Sequence, residues 1–563
     1  MLRPTPIGDI PTETARIAQA AFPKGNFYLR LRDELGVLYQ DADFAPLFPP
    51  QGRPALAPWR LGLVTVFQFL EGLPDRQAAD AVRSRLDWKY ALGLALTDSG
   101  FHYSVLSEFR TRLVAHEQEG LLLDRLLAHF VQHGWLRAGG KQRTDSTHVI
   151  GAVRRLTRLE LIAETLRAAL NELAAVDPDW LRPHLSDELV KRYGHRVEEG
   201  RLPRGEAKRE QYAVEIGLDG LQLLARLAQP AAVHLTDLPK VCTLRLIWAQ
   251  QFEGDGMKQP LKWTAWSTDI PASERPASPY DPDTRFSTKN SLRWQGYRVH
   301  FSETCERDAP ELVTNVHLAP APQQDSVALP TIHTQLQART LVPSIHLVDA
   351  GYISAALITS SRAQQIQLIG PPQRRMNWQE RTEGAFTHKD FIIDWERKDV
   401  LCPQRYLNKS WVETVDSVGT PVILVEFRRR ICERCPVRAQ CTRADRTKGG
   451  RNLLLRREPE FQALQEARQA HDSGAHAPLY ALRSGIEATF SQAVRRLDLR
   501  HARYRGHAKL QLQLSSTAAA LNLLRLDDWR RERPRGPTRT ARFARLHRAS
   551  PSASQTTRAL CST

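Results

Sequence analysis

The apolar positions predict a layer of strands and helices in the middle of the chain. Alternating apolar and polar residues predict strands around 297–301 and 312–318, and the run KQRTDSTHVIGAV predicts an earlier strand. A helical pattern at Leu329, Ile332 and Leu336 leads to a short apolar strand that ends at Asp349. A helix over 354–364 and a strand over 365–369 follow. This order predicts an α/β fold with a mixed sheet.

The regions around this layer follow the helical period instead. Residues 1–140 contain two apolar stripes with helical spacing: Leu63, Val66, Phe67 and Leu70, and then Leu123, Leu126, Leu127 and Phe130. A third stripe, at Leu159, Ile162, Leu166, Leu170 and Leu173, predicts a helical insertion over about 153–285. Two further helices are predicted over 480–498 and from about 508 to 526. The pattern therefore places helices before, inside and after the strand layer.

These shifts in pattern predict five parts of the chain. A helical N-terminal domain covers 1–140, and the first part of the α/β core covers 141–372 with its helical insertion. An inserted cysteine-containing module follows over 373–465, and the second part of the core covers 466–528. The tail over 529–563 is rich in Arg, Pro and Ser, and this composition is typical of disordered segments that contact phosphates without specificity.

The net charge points to a polyanionic partner. The 563 residues include 79 Lys and Arg against 62 Asp and Glu, a formal charge of +17, and nucleic acid is the usual partner of so basic a chain. A membrane partner is disfavoured because no window approaches the roughly 18 unbroken apolar residues of a spanning helix. The first residues lack the apolar core of a signal peptide. We therefore expect a cytoplasmic, nucleoid-associated protein.

Three carboxylates are the candidate catalytic groups. Asp145 lies inside a predicted strand, Asp349 follows the end of another, and Glu487 lies beside the apolar helical face formed by Ile486 and Phe490. Three converging carboxylates would suit Mg²⁺, which prefers oxygen ligands. The alternatives are an exposed edge strand for Asp145 and a helix cap for Asp349. Periodicity alone does not show that the three side chains meet.

Four cysteines form a candidate zinc site in the inserted module. Cys432 and Cys435 have CxxC spacing, Cys441 follows them, and Cys402 lies upstream. Four thiolates are a tetrahedral ligand set for structural Zn²⁺, and they leave no open position for catalysis. The alternative is a set of reduced cysteines without metal. Cys242, Cys305 and Cys561 have no such spacing.

The motifs around the three carboxylates resemble those of bacterial insertion-sequence transposases of the DDE type, whose catalytic domain has the ribonuclease H-like fold. Tyr480, Arg483 and Glu487 have the spacing of the family's C-terminal motif. The motif's last, basic position is occupied by Val494, and Arg495 comes one residue later. TDSTHV around Asp145 and VDAGY around Asp349 are similar to the first and second acidic motifs. The resemblance extends from residue 141 to 526, and residues 1–140 resemble the family's DNA-binding domain.

The resemblance implies a metal-dependent DNA transposase. Asp145, Asp349 and Glu487 would hold two Mg²⁺ (or Mn²⁺) ions for cleavage at the element's ends and for strand transfer into target DNA. Tyr480 and Arg483 would contact the terminal DNA, although Arg483 could also be an ordinary helical partner of Glu487. The implied partners are double-stranded DNA with terminal inverted repeats, target DNA and a second copy in a synaptic homodimer. Alternatives are a site-specific nuclease of the same fold and a transposase-derived DNA-binding protein that does not cut.

A basic run after the Glu487 helix adds candidate phosphate contacts. Its side chains surround Tyr504 and are those of Arg495, Arg496, Arg500, Arg503 and Arg505. A solvated helix end is the alternative interpretation.

Overall fold

A computed structural model describes residues 1–4, 6–264, 269–289, 291–373, 378–445 and 449–533. The chain begins with seven helices, and Pro58 occupies the first position of the third, where its missing N–H costs no hydrogen bond. The helices are α1 (Thr12–Ala21), α2 (Phe27–Leu35), α3 (Pro58–Glu71), α4 (Asp75–Ser84), α5 (Leu86–Ala91), α6 (Ser104–Ala115) and α7 (Leu121–Gln132).

A helical block with its own core follows the first strand. That strand is β1 (Lys141–Ile150), and the five helices after it are α8 (Arg158–Val176), α9 (Pro178–Leu181), α10 (Asp187–Tyr193), α11 (Glu206–Leu227) and α12 (Pro239–Gln251). Apolar residues of α8, α11 and α12 pack against each other and form a cluster separate from the main core. A two-stranded pair, β2 (Phe252–Glu253) and β3 (Lys262–Trp263), closes the block.

The remaining strands of the main sheet come next along the chain. They alternate with two helices: β4 (Arg285–Lys289), β5 (Leu292–Thr304), β6 (Val313–Pro320), α13 (Asp325–Ala338), β7 (Ile345–Leu347), α14 (Ala355–Ala363) and β8 (Gln367–Ile369). The strand order is β4-β5-β1-β7-β8, and β6 pairs with β5 as well. β1 is antiparallel to β5 and parallel to β7, and β7 is parallel to β8. The sheet is therefore mixed.

The inserted module forms two small sheets. Its elements are α15 (Trp378–Arg381), β9 (Ile392–Asp394), β10 (Asp399–Leu401), β11 (Ser410–Val415), β12 (Pro421–Glu426), α16 (Arg429–Glu433), α17 (Arg438–Cys441) and β13 (Asn452–Leu455). A small apolar cluster centred on Phe391, Val425 and Phe427 fills it. The helix α18 (Glu458–Asp472) then returns the chain to the main sheet and packs on α14.

Three helices complete the described chain: α19 (Ala477–Tyr480), α20 (Gly485–Leu497) and α21 (His507–Arg530). Every residue from 512 to 524 in α21 is buried, because this helix packs against α3, α6 and α7 on one side and β6 on the other. Asn522 donates to and accepts from the backbone of Val313 at 2.8 and 2.7 Å, so α21 satisfies polar groups of β6 that no strand reaches. One apolar core therefore joins the N-terminal helices to the sheet.

The structure confirms the mixed α/β fold and most predicted elements. Each predicted strand of the main layer is present, and so are the helices predicted over 354–364 and after residue 508. β4 was not predicted, because its five residues are mostly polar. In the structure, Phe286 of this strand is exposed. The last helix continues to Arg530, into the region predicted as tail, and from residue 534 the predicted tail lies outside the described residues. No helix in the described ranges has the length and apolar content to cross a membrane.

Candidate active site

The strand register brings Asp145 and Asp349 to the same level of the sheet. Strand β1 pairs with β7 in parallel, with Arg143 opposite Leu347, and both chains continue for two residues to these carboxylates. Because neighbouring strands lie about 4.8 Å apart, residues at matching positions are close. The carboxyl end of β7 is also the edge at which open α/β sheets usually place functional groups.

Asp145 lies in a setting that disfavours its charge. Burial raises the pKa of its carboxyl to about 6, and the negative charges of Asp349 and Asp325 act in the same direction. Arg483 and the backbone N–H of Ser146 oppose this rise. The N–H donates to Asp145 Oδ1 at 2.7 Å. A buried carboxylate among other acids is the arrangement that a cation would relieve.

Asp349 caps a single turn of 3₁₀ helix rather than the next α-helix. Its Oδ1 accepts a hydrogen bond from the backbone N–H of Gly351 at 2.8 Å. The cap of α14 is Ser354, whose hydroxyl accepts from the N–H of Leu357 at 3.2 Å. Only one oxygen of Asp349 makes this capping bond. The interpretation of Asp349 as a helix cap is therefore correct in part and leaves its other oxygen for a ligand.

A further carboxylate, Asp325, belongs to the same cluster. It is the first residue of α13, and its Oδ1 accepts from Ser146 Oγ and from Arg298 Nη1, both at 2.9 Å. Its Oδ2 and Asp349 Oδ1 each lie 3.0 Å from the point that a Cβ on Gly351 would occupy. The two oxygens are thus within twice that distance of each other. Asp325 was not among the predicted site residues, because an Asp at the start of a helix has the same pattern as a simple cap.

Arg483 joins the Glu487 helix to Asp145. Its Nη2 lies 2.5 Å from Asp145 Oδ2, and its Nη1 lies 3.3 Å from Glu487 Oε1. The side chains of Arg483 and Asp145 are 16% and 14% exposed, whereas that of Glu487 is 69% exposed. The predicted helical partnership with Glu487 therefore exists, but the shorter contact of Arg483 is with Asp145.

Tyr480 lies beside the same group. Burial raises the pKa of its hydroxyl, and the charges of Asp349 and Asp145 add to that rise while Arg483 opposes it. Its ring packs with Leu347 and Ile369 at the end of the sheet. The structure thus brings Tyr480, Arg483, Asp145 and Asp349 together, with Glu487 at the exposed side of the cluster.

The chemistry of these side chains fits a hard divalent cation. Asp145, Asp349 and Glu487 offer carboxylate oxygens, the ligands that Mg²⁺ prefers. Within the parts of the chain that the structure describes, no group of three or more His, Cys, Asp and Glu side chains is placed to hold a metal ion as it stands. At the candidate site, the guanidinium of Arg483 contacts both Asp145 and Glu487.

The arginines of the basic run after Glu487 differ in their contacts with the rest of the chain. Arg495 and Arg496 are exposed near the end of α20. Arg500 donates to Thr147 Oγ1 at 3.2 Å, and Arg503 donates to the backbone oxygen of Leu73 at 3.1 Å. Arg505 donates to the backbone oxygen of Ala152 at 3.2 Å. The last three therefore connect the Glu487 region to β1 and to the N-terminal helices.

The four module cysteines line one cavity. Cys402 follows β10, Cys432 lies in α16, Cys435 follows α16, and Cys441 ends α17. Burial raises the pKa of the Cys441 thiol to about 11, and the other three thiols add to that rise while Arg451 opposes it. The four cysteines thus line the same cavity, but among the described residues their thiols are not placed to hold a metal ion. Cys242 is exposed and Cys305 is buried elsewhere, and Cys561 lies outside the described residues.

Two family models match the chain. The one described as "Transposase domain (DUF772)" matches residues 16–112, and the one described as "Transposase DDE domain" matches residues 401–527. The second range contains Glu487 and the four module cysteines, and Asp145 and Asp349 lie between the two ranges. No curated protein and no solved structure matches the chain. A transposase model thus matches towards each end of the chain, and the two matches together support an insertion-sequence transposase of the DDE type.

Proposed function

We propose that the protein cleaves DNA at the ends of an insertion sequence and joins those ends to target DNA, in a reaction that depends on divalent metal. The observation that carries this proposal is the meeting of Asp145, Asp349 and the Arg483–Glu487 helix at one end of the sheet. Groups from two strands and a distant helix meet there, although they lie far apart along the chain.

The sheet supports a ribonuclease H-like catalytic domain. Three antiparallel strands, β6, β5 and β1, are followed across the sheet by the parallel strands β7 and β8. Asp145 lies on the central strand, and Asp349 follows its parallel neighbour. Helices α13, α14 and α20 flank this layer. The module and the helical block enter as insertions between elements of the layer.

Asp145, Asp349 and Glu487 would hold two Mg²⁺ or Mn²⁺ ions. The chemistry supplied by the bound metal would be activation of the attacking oxygen and stabilisation of the leaving oxygen of a phosphodiester. The exposed carboxylate of Glu487 can turn toward the other two once Arg483 releases it. Arg483 and Tyr480 would then be placed to bind the terminal DNA, with the guanidinium moving from carboxylates to a phosphate.

DNA would run over the exposed face next to this site. Arg495 and Arg496 are exposed near the end of α20, and phosphate contacts from such side chains position DNA without reading its sequence. Arg503 and Arg505 would contribute from the same region if DNA displaced their internal contacts. The helices over 1–140 would bind the terminal inverted repeats of nucleoid DNA, and two copies would join the two ends as a homodimer.

The module would be a structural zinc unit. Its apolar cluster is small, and Cys402, Cys432, Cys435 and Cys441 line one cavity beside it. Binding of Zn²⁺ would draw the four thiols together and would stabilise a fold with few buried apolar side chains.

The test is strand cleavage of a duplex that carries the DNA flanking the gene. With Mg²⁺, the wild type should nick this duplex and join the freed end to a second DNA. Asp349→Ala should abolish both steps and leave affinity for the duplex within about threefold, because Asp349 would serve the metal rather than the DNA. Asp179→Ala, at an exposed site in the helical block, is the matched control. Cutting without joining would favour a nuclease, and retained cutting by Asp349→Ala would sink the assignment.

A further inference from the structure

A buried charged side chain lies under the helix that carries Glu487. Arg143 precedes Asp145 by two positions on β1, so both side chains point to the same face of the sheet. The side chain of Arg143 is only 2% exposed. A buried guanidinium is costly unless it is fully paired, and a buried ion pair is weak evidence for stability. Its presence directly beneath the active site therefore needs another reason.

The partners of Arg143 come from β5, from the segment between β5 and β6, and from the turn that precedes α20. Its Nε donates to Glu303 Oε1 at 2.6 Å, and its Nη2 lies 2.7 Å from Glu311 Oε2. Its Nη1 donates to the backbone oxygen of Leu482 at 2.6 Å. Leu482 immediately precedes Arg483. The same guanidinium therefore touches the sheet and the backbone next to the active-site arginine.

Gly485 permits this close approach. It is the first residue of α20, and a Cβ built on it would collide with the Arg143 guanidinium. Its φ of −60° is ordinary for a helix, so any residue could adopt this backbone conformation. Glycine is required here by space alone. The start of the helix thus rests directly on the planar guanidinium.

A second attachment comes from the buried side of α20. Thr489 Oγ1 donates to Glu303 Oε2 at 2.6 Å, and Arg525 of α21 contacts both of these groups at 2.7 Å. Thr489 is two residues after Glu487, which places the two on opposite sides of the helix. Glu303 therefore pairs Arg143 with α20 and α21 while Glu487 faces outward.

We propose that Arg143 and Glu303 are positioning residues that fix the Glu487 helix in register with Asp145, through Gly485 on one side and Thr489 on the other. The inference rests on the proposed function, and it assigns to the buried network the task of holding Asp145 of β1 and Glu487 of α20 in one geometry. A misplacement of about 1 Å can cost roughly 10²-fold in rate, so loss of this network should be measurable in the cleavage rate.

The test compares Gly485→Ala with Thr489→Val and Thr489→Ser in the full chain. Three properties are measured. They are amide hydrogen exchange of peptides over 480–490 by mass spectrometry, affinity for a duplex of the gene's flanking DNA, and the rate at which the protein cleaves that duplex with Mg²⁺. Gly220→Ala is the matched control, since a Cβ there would collide with Trp248 in the helical block.

Gly485→Ala and Thr489→Val should speed exchange over 480–490 about tenfold and slow cleavage roughly 10²-fold, with DNA affinity within about threefold. Thr489→Ser keeps the hydroxyl and should stay close to the wild type. The control should change exchange only in α11. Unchanged exchange and cleavage in both variants, or equal losses in Thr489→Ser and Thr489→Val, would overturn the inference. If Gly485→Ala does not fold, the Thr489 pair decides alone.

Failure of the proposed function has a different signature. A wild type that cuts no DNA would reject the transposase assignment, yet the exchange measurements would still report whether the network holds the helix. A wild type that cuts, combined with variants that match it in every readout, would reject the positioning role only.

Discussion

Arg483 contacts Asp145 and Glu487 with opposite nitrogens of one guanidinium, at 2.5 Å and 3.3 Å respectively. A positive group of the chain itself thus stands among the proposed metal-binding carboxylates. The arrangement neutralises part of their charge in the absence of metal. In the proposed reaction, metal and DNA would both have to displace the Arg483 side chain before Glu487 could approach Asp145.

Arg483→Ala should destabilise the metal-free protein. Asp145 would lose its cation in a mostly buried place, at a cost of about 1–3 kcal/mol at pH 8, and Mg²⁺ should restore most of the loss. Chemical unfolding with and without Mg²⁺ measures this. Arg496→Ala, at an exposed position on the same helical segment, should change stability by less than about 0.5 kcal/mol. Equal effects of the two substitutions would contradict the proposed neutralising role.

Asp145→Asn should stabilise the metal-free protein at neutral pH. The pKa of Asp145 is raised to about 6 in the folded state, mainly by burial, so its protonated form is favoured by folding. As pH rises through about 6, the Asp145 carboxyl of the wild type loses its proton, and the stability that this proton contributed is lost. The Asn side chain does not ionise, so the variant keeps its stability. The variant should therefore gain about 2–3 kcal/mol over the wild type at pH 8 and nothing below pH 4. Urea unfolding at the two pH values checks this, and a pH-independent difference would refute it.

Asp325→Ala should cost more stability than its place at a helix start suggests. Arg298 would remain with its side chain only 14% exposed and without this carboxylate, at a cost of about 2–4 kcal/mol. Asp325→Asn keeps an acceptor for Ser146 and should cost less. Chemical unfolding separates the two. Glu466→Ala removes a pair whose side chains are 58% and 61% exposed, and it should change stability by less than about 1 kcal/mol. If Asp325→Ala costs no more than this control, the Asp325–Arg298 pair is a surface contact.

Purified protein should contain about one zinc per chain. The double variant Cys432→Ser/Cys435→Ser should lose it and should unfold the module at lower temperature, because metal binding and folding of such a unit are coupled. Elemental analysis and thermal unfolding measure the two effects. Cys242→Ser, at the exposed cysteine outside the module, should keep the metal. Wild-type protein without zinc would reject the site.

Local periodicity predicted the elements of the site but not their contacts. The strand of Asp145, the strand before Asp349 and the apolar face of Ile486 and Phe490 all follow from spacing within a few residues. The contact of Arg483 with Asp145 spans 338 positions along the chain, and no local pattern contains that information. Helical spacing predicted the contact of Arg483 with Glu487, which is longer than its contact with Asp145.

The roles of Gly485 and of the buried Arg143 could not be predicted from the sequence either. Gly485 in the motif is compatible with any helix start, and Arg143 in a strand has the pattern of an exposed edge. Only the folded chain shows that the glycine is needed because the arginine lies beneath it. Asp325 was not predicted for a similar reason. It begins the helix α13, and its hydrogen bonds are with Ser146 of β1 and Arg298 of β5.

The buried helix α21 limits how this transposase can be divided. Because α21 fills the space between the N-terminal helices and β6, removal of either neighbour would expose a continuous apolar surface. Chimeras that exchange only the first 140 residues between relatives should therefore aggregate unless α21 is exchanged with them. If the N-terminal helices bind the DNA ends as proposed, new specificity for those ends would have to arise through surface substitutions on these helices, with α21 retained unchanged.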